Sequence, residues 1–258
     1  MLAAAGSILC GRTEAMAPAG SQEAVQGYLG AAPPPEVLDF MPAPPRPGSA
    51  QEKADLDLFR RTRRLQGGPR WTLAQRDVTD GPFDTFACAL GVRLRPGDAP
   101  ALDRLLARLG KDRGPWVDAG KFHYAVRRPY LKIDGPICEP KTDHLAGNPD
   151  YPSGHAAAGW SIALVLAEAA PARAGRVLDR GRVFTESRFV CGSHSRSAVD
   201  AGGMLASALI ATEHGSDAFR ADLAAARSQL VALPAGEGLD DDGRCQAEAR
   251  AGAWRPEP

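Results

Sequence analysis

Three short stretches of the chain bring together cations and imidazoles: Lys121 with Arg128-Pro129, then Pro152-Ser153-Gly154-His155, then Ser187-Arg188 with His194. Lysine and arginine hold anionic oxygens, and the planar arginine fork fits two oxygens of one phosphoryl group. A neutral imidazole can attack phosphorus, and a second, protonated one can give the departing alkoxide its proton. Taken singly, each stretch reads as a solvated basic helix end or an ordinary histidine. As a set they match in-line phosphoryl transfer, in which charge on the equatorial oxygens must be stabilised.

Local sequence suggests how these residues are held. Lys121 and Arg128 lie seven residues apart, two helical turns on nearly one face, about 10 Å along the axis. Pro129 disfavours helix at Arg128, so the helix is expected to end there. Ser153 stands before the apolar run Ala156 to Ala170 and reads as an N-cap, with the free amides of the first turn facing an anion and Gly154 permitting close approach. His155 then falls in that first turn. Cys191-Gly192 breaks the helix that carries Arg188, and Ser193 is expected to cap a new helix opening with His194, where a helix N-terminus favours the uncharged ring.

The elements needed are helices. Apolar residues recur at helical spacing over Gln51 to Gln66, Pro82 to Leu90, Ala99 to Leu109, Trp116 to Val126, His155 to Ala169, Ala172 to Phe189, His194 to Glu213 and Ser216 to Leu233, with Gly or Pro at most junctions. No pair of strands stands out. The expected fold is all-α, a single-domain helical bundle over residues 50–233. Residues 1–49 read as an apolar N-terminus, resembling part of a secretory signal but lacking a basic start, followed by a proline-rich extended segment. Residues 234–258, rich in Gly, Asp, Glu and Arg, read as a disordered tail.

Composition limits the partners. The chain has 258 residues, 31 basic and 31 acidic, and so no global positive field for nucleic acid. The apolar run at 156–170 is too short to span a bilayer, which takes about 20 residues. The five cysteines, at 10, 88, 138, 191 and 245, have no zinc-like spacing and read equally as free thiols or a structural disulfide. Asp143 and Asp150 near His144 form no metal pattern; His123, His144 and His214 read as structural or solvent-facing. Pro-Ser-Gly-His lacks the Gly-x-Ser-x-Gly elbow of a serine hydrolase.

Read together, Lys121-x6-Arg128-Pro129, Pro152-Ser153-Gly154-His155 and Ser187-Arg188-x5-His194 resemble the signature of the type 2 phosphatidic acid phosphatase and vanadium haloperoxidase superfamily. The surrounding residues, Tyr151, Gly159-Trp160 and Glu186 to Gly192 among them, are similar to the soluble bacterial class A non-specific acid phosphatases. That resemblance implies an all-helical, metal-independent, periplasmic or secreted enzyme hydrolysing many phosphomonoesters through a phosphohistidine, with no cofactor and with vanadate binding as a phosphate mimic. Its partner would be a small-molecule substrate, with neither nucleic acid nor a membrane span, and homo-oligomerisation is left open. Carried over, His194 is the nucleophile, His155 the leaving-group acid, and Lys121, Arg128, Ser153, Gly154 and Arg188 the phosphate cradle. Cys138 and Cys191 both have counterparts, which implies a disulfide between them.

The chain departs from that family in one place: the aspartate four residues after the nucleophile is Ala198 here. Asp200 would be rotated away from His194, and Ser197 could accept the ring N–H instead. Without an orienting carboxylate, turnover is expected to be slowed, and Ala198→Asp to raise it. The alternatives are a catalytically impaired phosphate-binding protein and a vanadate-dependent haloperoxidase.

Overall fold

A computed structural model of the chain describes residues 25–30, 36–233, 239 and 243–256. The signal-like N-terminus with Cys10, and part of the proline-rich segment, lie outside the described residues. Within them the regular structure is helical, with no strand: α1 (Val37–Phe40), α2 (Ala50–Thr62), α3 (Pro69–Thr79), α4 (Pro82–Leu90), α5 (Pro100–Tyr124), α6 (Asp143–Gly147), α7 (Gly154–Ala169), α8 (Ala174–Cys191), α9 (Arg196–Glu213), α10 (Asp217–Ala232) and α11 (Arg244–Gly252). The fold is all-α, as the periodicity predicts.

Short polar residues start these helices. Ser49, Thr142, Ser153, Ser195 and Ser216 each accept a backbone N–H from the first turn of the helix that follows. Proline opens α3, α4 and α5, where its missing N–H costs nothing. Gly91 and Gly192, both in the left-handed region, end α4 and α8.

The apolar helix α7 is central, packed between α8 and α9, with α10 and α5 also against it. Its Ala157, Ala163, Val165 and Leu166 join Leu102, Leu105 and Leu109 of α5 and Leu205 and Leu209 of α9 in one buried cluster. The α7–α9 crossing is close: a Cβ on Gly202 would lie 2.5 Å from the carbonyl oxygen of Ser153. The start of α7, which carries His155, is therefore set against α9 by backbone contact.

Several boundaries differ from the sequence expectation. The two helices expected at 99–109 and 116–126 are one helix, α5, that runs through Pro115 because buried Leu105, Leu109, Trp116 and Val117 anchor it on both sides of the proline. The folded part does not begin near Ala50. Val37 and Met41 belong to the core, and the Tyr28 hydroxyl donates to Asp222 Oδ2 at 2.8 Å. Nor is the whole C-terminal stretch a tail: α11 packs on α3, seats Ala251 against Leu73 and Val183, and is joined to α4 by a Cys88–Cys245 disulfide.

Candidate active site

Lys121, Arg128, Gly154, His155 and His194 share the wall of a single cavity of about 340 Å³. A larger cavity, about 530 Å³, lies elsewhere beside Cys88, Arg176 and Glu248 and has no histidine. Lys121 stands in the last turn of α5, which closes at Ala125 in the left-handed region. Arg128 is therefore not on the same helix face as expected, but on the extended segment after it. The chain turns back there, and Arg128 Nε donates to Asn148 O at 2.7 Å while Nη1 donates to Ser193 O at 2.8 Å. One arginine thus ties the segment before α6 to the residue preceding His194.

His194 lies in the short link between α8 and α9. The N-cap of α9 is Ser195, one residue beyond the expected pairing of Ser193 and His194. The ring is 3% exposed and its surroundings fix its tautomer. Nδ1 lies 2.7 Å from Asp150 O and 2.9 Å from Asp150 Oδ1, both acceptors, so Nδ1 carries the hydrogen. Nε2 lies 3.2 Å from Arg128 Nη1, which can only donate, so Nε2 keeps its lone pair on the cavity side. Burial, then Arg128 and Lys121, hold the ring well below the usual imidazole pKa.

A carboxylate absent at position 198 is thus present beside the ring, supplied by Asp150, a residue whose sequence surroundings show no metal pattern and give it no expected part at His194. Asp150 is 2% exposed; Ser195 N donates to its Oδ1 at 3.1 Å and Ser195 Oγ to its Oδ2 at 2.7 Å. Burial is the largest influence and leaves its pKa raised, while these donors and the charges of Arg128 and Lys121 offset part of that rise. Donors face both oxygens, so the hydrogen bonds select the ionised form. Asp200 instead pairs with Arg196 at 3.0 Å, and the Ser197 hydroxyl accepts from Gln51, so neither faces His194. A usable signal was in the sequence: an acidic residue immediately before Tyr151-Pro152-Ser153, in a chain whose expected partner carboxylate is absent.

His155, in the first turn of α7, opens onto the same cavity. Protein packed around its ring, then the positive charge of Arg188, the neighbouring His194, Arg128 and Lys121, push its pKa down to about 3, although one side of the ring is open to the cavity. Lys121 is lowered to about 8 by burial and by Arg128, and its ammonium donates to Pro149 O. Arg188 is fully buried and does not form the cavity wall. Its Nη2 donates to Ala74 O at 3.2 Å, while Nε and Nη1 have no partner among the described residues. Two buried donors left open on a guanidinium suit an incoming oxyanion.

Ser153 is buried behind the wall, its N–H bonded to Ala198 O at 2.9 Å and its hydroxyl capping α7. It sits at the α7–α9 junction, and the residue of that stretch lining the cavity is Gly154. Ser187 is also away from the cavity: its hydroxyl donates to Asp77 Oδ2 and accepts from Arg70 at 2.9 Å, joining α8 to α3 beside the buried Arg180–Asp77 pair.

The remaining wall comes from residues 139–148, including Glu139, Thr142, His144 and Asn148. His144, expected to have no part in the site, therefore faces the cavity; its exposure in the short helix α6 gave no periodic signal. Cys138 is bonded to Cys191, and the Ser193 hydroxyl donates to Glu139, so this wall is fixed to the chain that leads into His194. Arg63, unremarked in the sequence, clamps the same junction: it donates to Pro136 O, Val190 O at 2.6 Å and Cys191 O at 3.0 Å.

A helical scaffold that turns two imidazoles and a set of buried cations toward one cavity defines an oxyanion-handling protein. Similarity to known proteins makes the class specific. No family model matches the chain. It is 36% identical over 220 residues to the acid phosphatase of Zymomonas mobilis, covering 84% of this chain and 83% of that one. It is 33% identical to the non-specific acid phosphatase of Providencia stuartii, over 77% of this chain and 82% of that one, and 32% identical to that of Salmonella typhimurium, over 74% and 78%. The chain belongs to the bacterial non-specific acid phosphatases, a family of phosphoric monoester hydrolases.

Proposed function

We propose that this protein hydrolyses phosphomonoesters of broad specificity through a phosphohistidine on His194. The observation that carries this reading is the His194 ring itself: hydrogen on Nδ1, lone pair on Nε2, and Nε2 directed at the cavity that also holds Lys121, Arg128 and His155. The Nε2 lone pair forms the N–P bond as the ester P–O bond breaks, and the departing alkoxide takes a proton from His155. Water then attacks phosphorus, His155 accepts its proton, and the P–N electrons return to Nε2. Lys121, Arg128 and the first amides of α7 hold the three equatorial oxygens, and Arg188, buried behind the wall, adds positive charge felt by both histidines.

A protonated His155 needs an anion beside it, given the cations around it when the cavity is empty. The bound phosphoryl group supplies that anion, so the acid is charged only with substrate in place. Vanadate, which takes the same oxyanion shape, is expected to inhibit, and the described residues offer no cluster of three His, Cys, Asp or Glu for a metal. The disulfides Cys138–Cys191 and Cys88–Cys245 support an oxidising compartment, periplasmic or extracellular. The alternative of an impaired phosphate-binding protein rested on the missing carboxylate and loses that support with Asp150 at the ring.

The test is turnover of p-nitrophenyl phosphate with His194→Ala and His155→Ala beside the parent. His194→Ala should be inactive and should not become labelled when quenched with radioactive phosphoryl substrate; His155→Ala should still accept label. Unchanged turnover in His194→Ala would end the proposal.

A further inference from the structure

We infer that Asp150 is the positioning carboxylate of the attacking histidine, a duty the sequence leaves vacant at Ala198 and the fold fills from the loop that leads into α7. The inference rests on the phosphohistidine reading of His194. Asp150 meets Nδ1 twice, through its backbone carbonyl and through Oδ1. The carbonyl alone can set the tautomer, so what the side chain adds is a negative charge. That charge matters as the reaction proceeds, because the ring becomes cationic when Nε2 bonds to phosphorus, with Arg128 already 3.2 Å from it and Lys121 and Arg188 close enough to affect its charge.

The carboxylate is held for that task. Both of its oxygens accept from Ser195, one from the backbone N–H and one from the hydroxyl, and Ser195 is also the N-cap of α9. Its orientation is thus locked to the element that follows His194, while its backbone leads into the Pro-Ser-Gly-His stretch. The other nearby carboxylates are engaged elsewhere, Asp55 with the Ser197 amide, Glu139 with the Ser193 hydroxyl and Asp200 with Arg196. Nδ1–H stays on the ring throughout; Asp150 accepts a hydrogen bond and gains no proton.

Asp150→Asn keeps the size, the backbone carbonyl and an oxygen for Ser195, and removes the charge. The variant should lose about 10²-fold or more in kcat, a loss of the size seen when one aimed group is taken from a charged transition state. Its inhibition constant for inorganic phosphate should stay within about threefold of the parent, since the cradle is untouched. A fall in kcat of less than tenfold overturns the inference, and so does a parallel loss of phosphate affinity, which would mark Asp150 as merely structural. The unmodified protein gives a second readout that does not depend on the variant folding: with a carboxylate on the ring its kcat should lie in the ordinary range of about 1–10³ s⁻¹, and a value below about 10⁻² s⁻¹ overturns the inference. An active parent beside an equally active Asp150→Asn sinks this inference alone; a parent that binds phosphate and never turns over sinks the phosphohistidine reading with it.

Discussion

Replacing both Cys138 and Cys191 with alanine should cost about 4 kcal/mol of folding stability, the chain-entropy value for the loop that their 53-residue separation closes. The native geometry around the bond has other supports. Cys138 N donates to Cys191 O at 3.1 Å, and Arg63 reaches carbonyls on both sides, Pro136 and Cys191. The folded state should therefore change little, and the loss falls on the unfolded chain, which regains the freedom of a long loop. For a domain of this size about 2–4 °C of thermal midpoint goes with each kcal/mol, so the midpoint should drop by about 8–16 °C.

The measurement is thermal unfolding followed by circular dichroism, paired with a urea titration to obtain the free energy. Steady-state kinetics at 25 °C belong beside it, because the disulfide fixes the wall holding Glu139 and Thr142 to the chain entering His194. With the wall still held by Arg63 and by the Cys138–Cys191 backbone bond, KM and kcat should both stay within about threefold of the parent. A midpoint within about 2 °C of the parent would refute the loop-entropy reasoning.

Glu213 is buried with its carboxyl beside Asp112, and burial and that neighbour push it up to about 8. A raised acid is protonated in the fold, so stability is fully present below its unfolded pKa near 4.5 and declines as pH rises toward 8; Glu213→Gln should raise the midpoint at pH 8, by about 4 kcal/mol equivalent, and leave it unchanged at pH 4, as differential scanning calorimetry would read. Gly202→Ala places a methyl against the carbonyl of Ser153 and should cost about 1–3 kcal/mol while lowering kcat, because the turn bearing His155 must move; an unaltered midpoint and rate would contradict the close crossing. His155 is pushed down to about 3 in the empty site, so phosphate binding near pH 5 should take up a proton, seen in calorimetry as a binding heat that varies with the buffer, and His155→Asn should abolish that variation. Ala198→Asp would bury a second acid near Asp150, and contrary to the sequence expectation it should not raise kcat in p-nitrophenyl phosphate assays.

The helices were legible because most bury one apolar face and begin with a serine, threonine or proline. The shared cavity was legible for a related reason: chemically specialised residues fell at helix ends, where Gly154, Gly192 and Pro129 mark the turns. Pro115 misled because burial on both sides of it outweighs a lost hydrogen bond, which local sequence cannot weigh. The helix α11 was missed because its stability comes from Cys88–Cys245 and from Glu248, whose Oε1 lies 3.1 Å from Arg180 Nε, long-range partners with no local trace. Asp150 was missed for the same reason. The sequence points to a carboxylate four residues along a helix, whereas the fold delivers one from 44 residues away.

The site's charge when empty explains what it should select. Lys121 and Arg128 line the cavity, Arg188 stands buried with two donors unmet, and both imidazoles are held neutral. The one carboxylate touching the His194 ring, Asp150, lies on its far nitrogen from the cavity. An oxyanion entering the cavity would meet the charges of Lys121 and Arg128 directly and relieve several of these conditions at once. A phosphomonoester presents three non-bridging oxygens to that set and a diester only two, so a diester would leave one buried donor group unmatched, at a cost of about 1–3 kcal/mol. It would also carry less charge to raise His155 toward protonation. On the proposed mechanism the same cations that bind the group would make acid catalysis conditional on binding it, so preference for a monoester and readiness of the general acid would have one electrostatic origin.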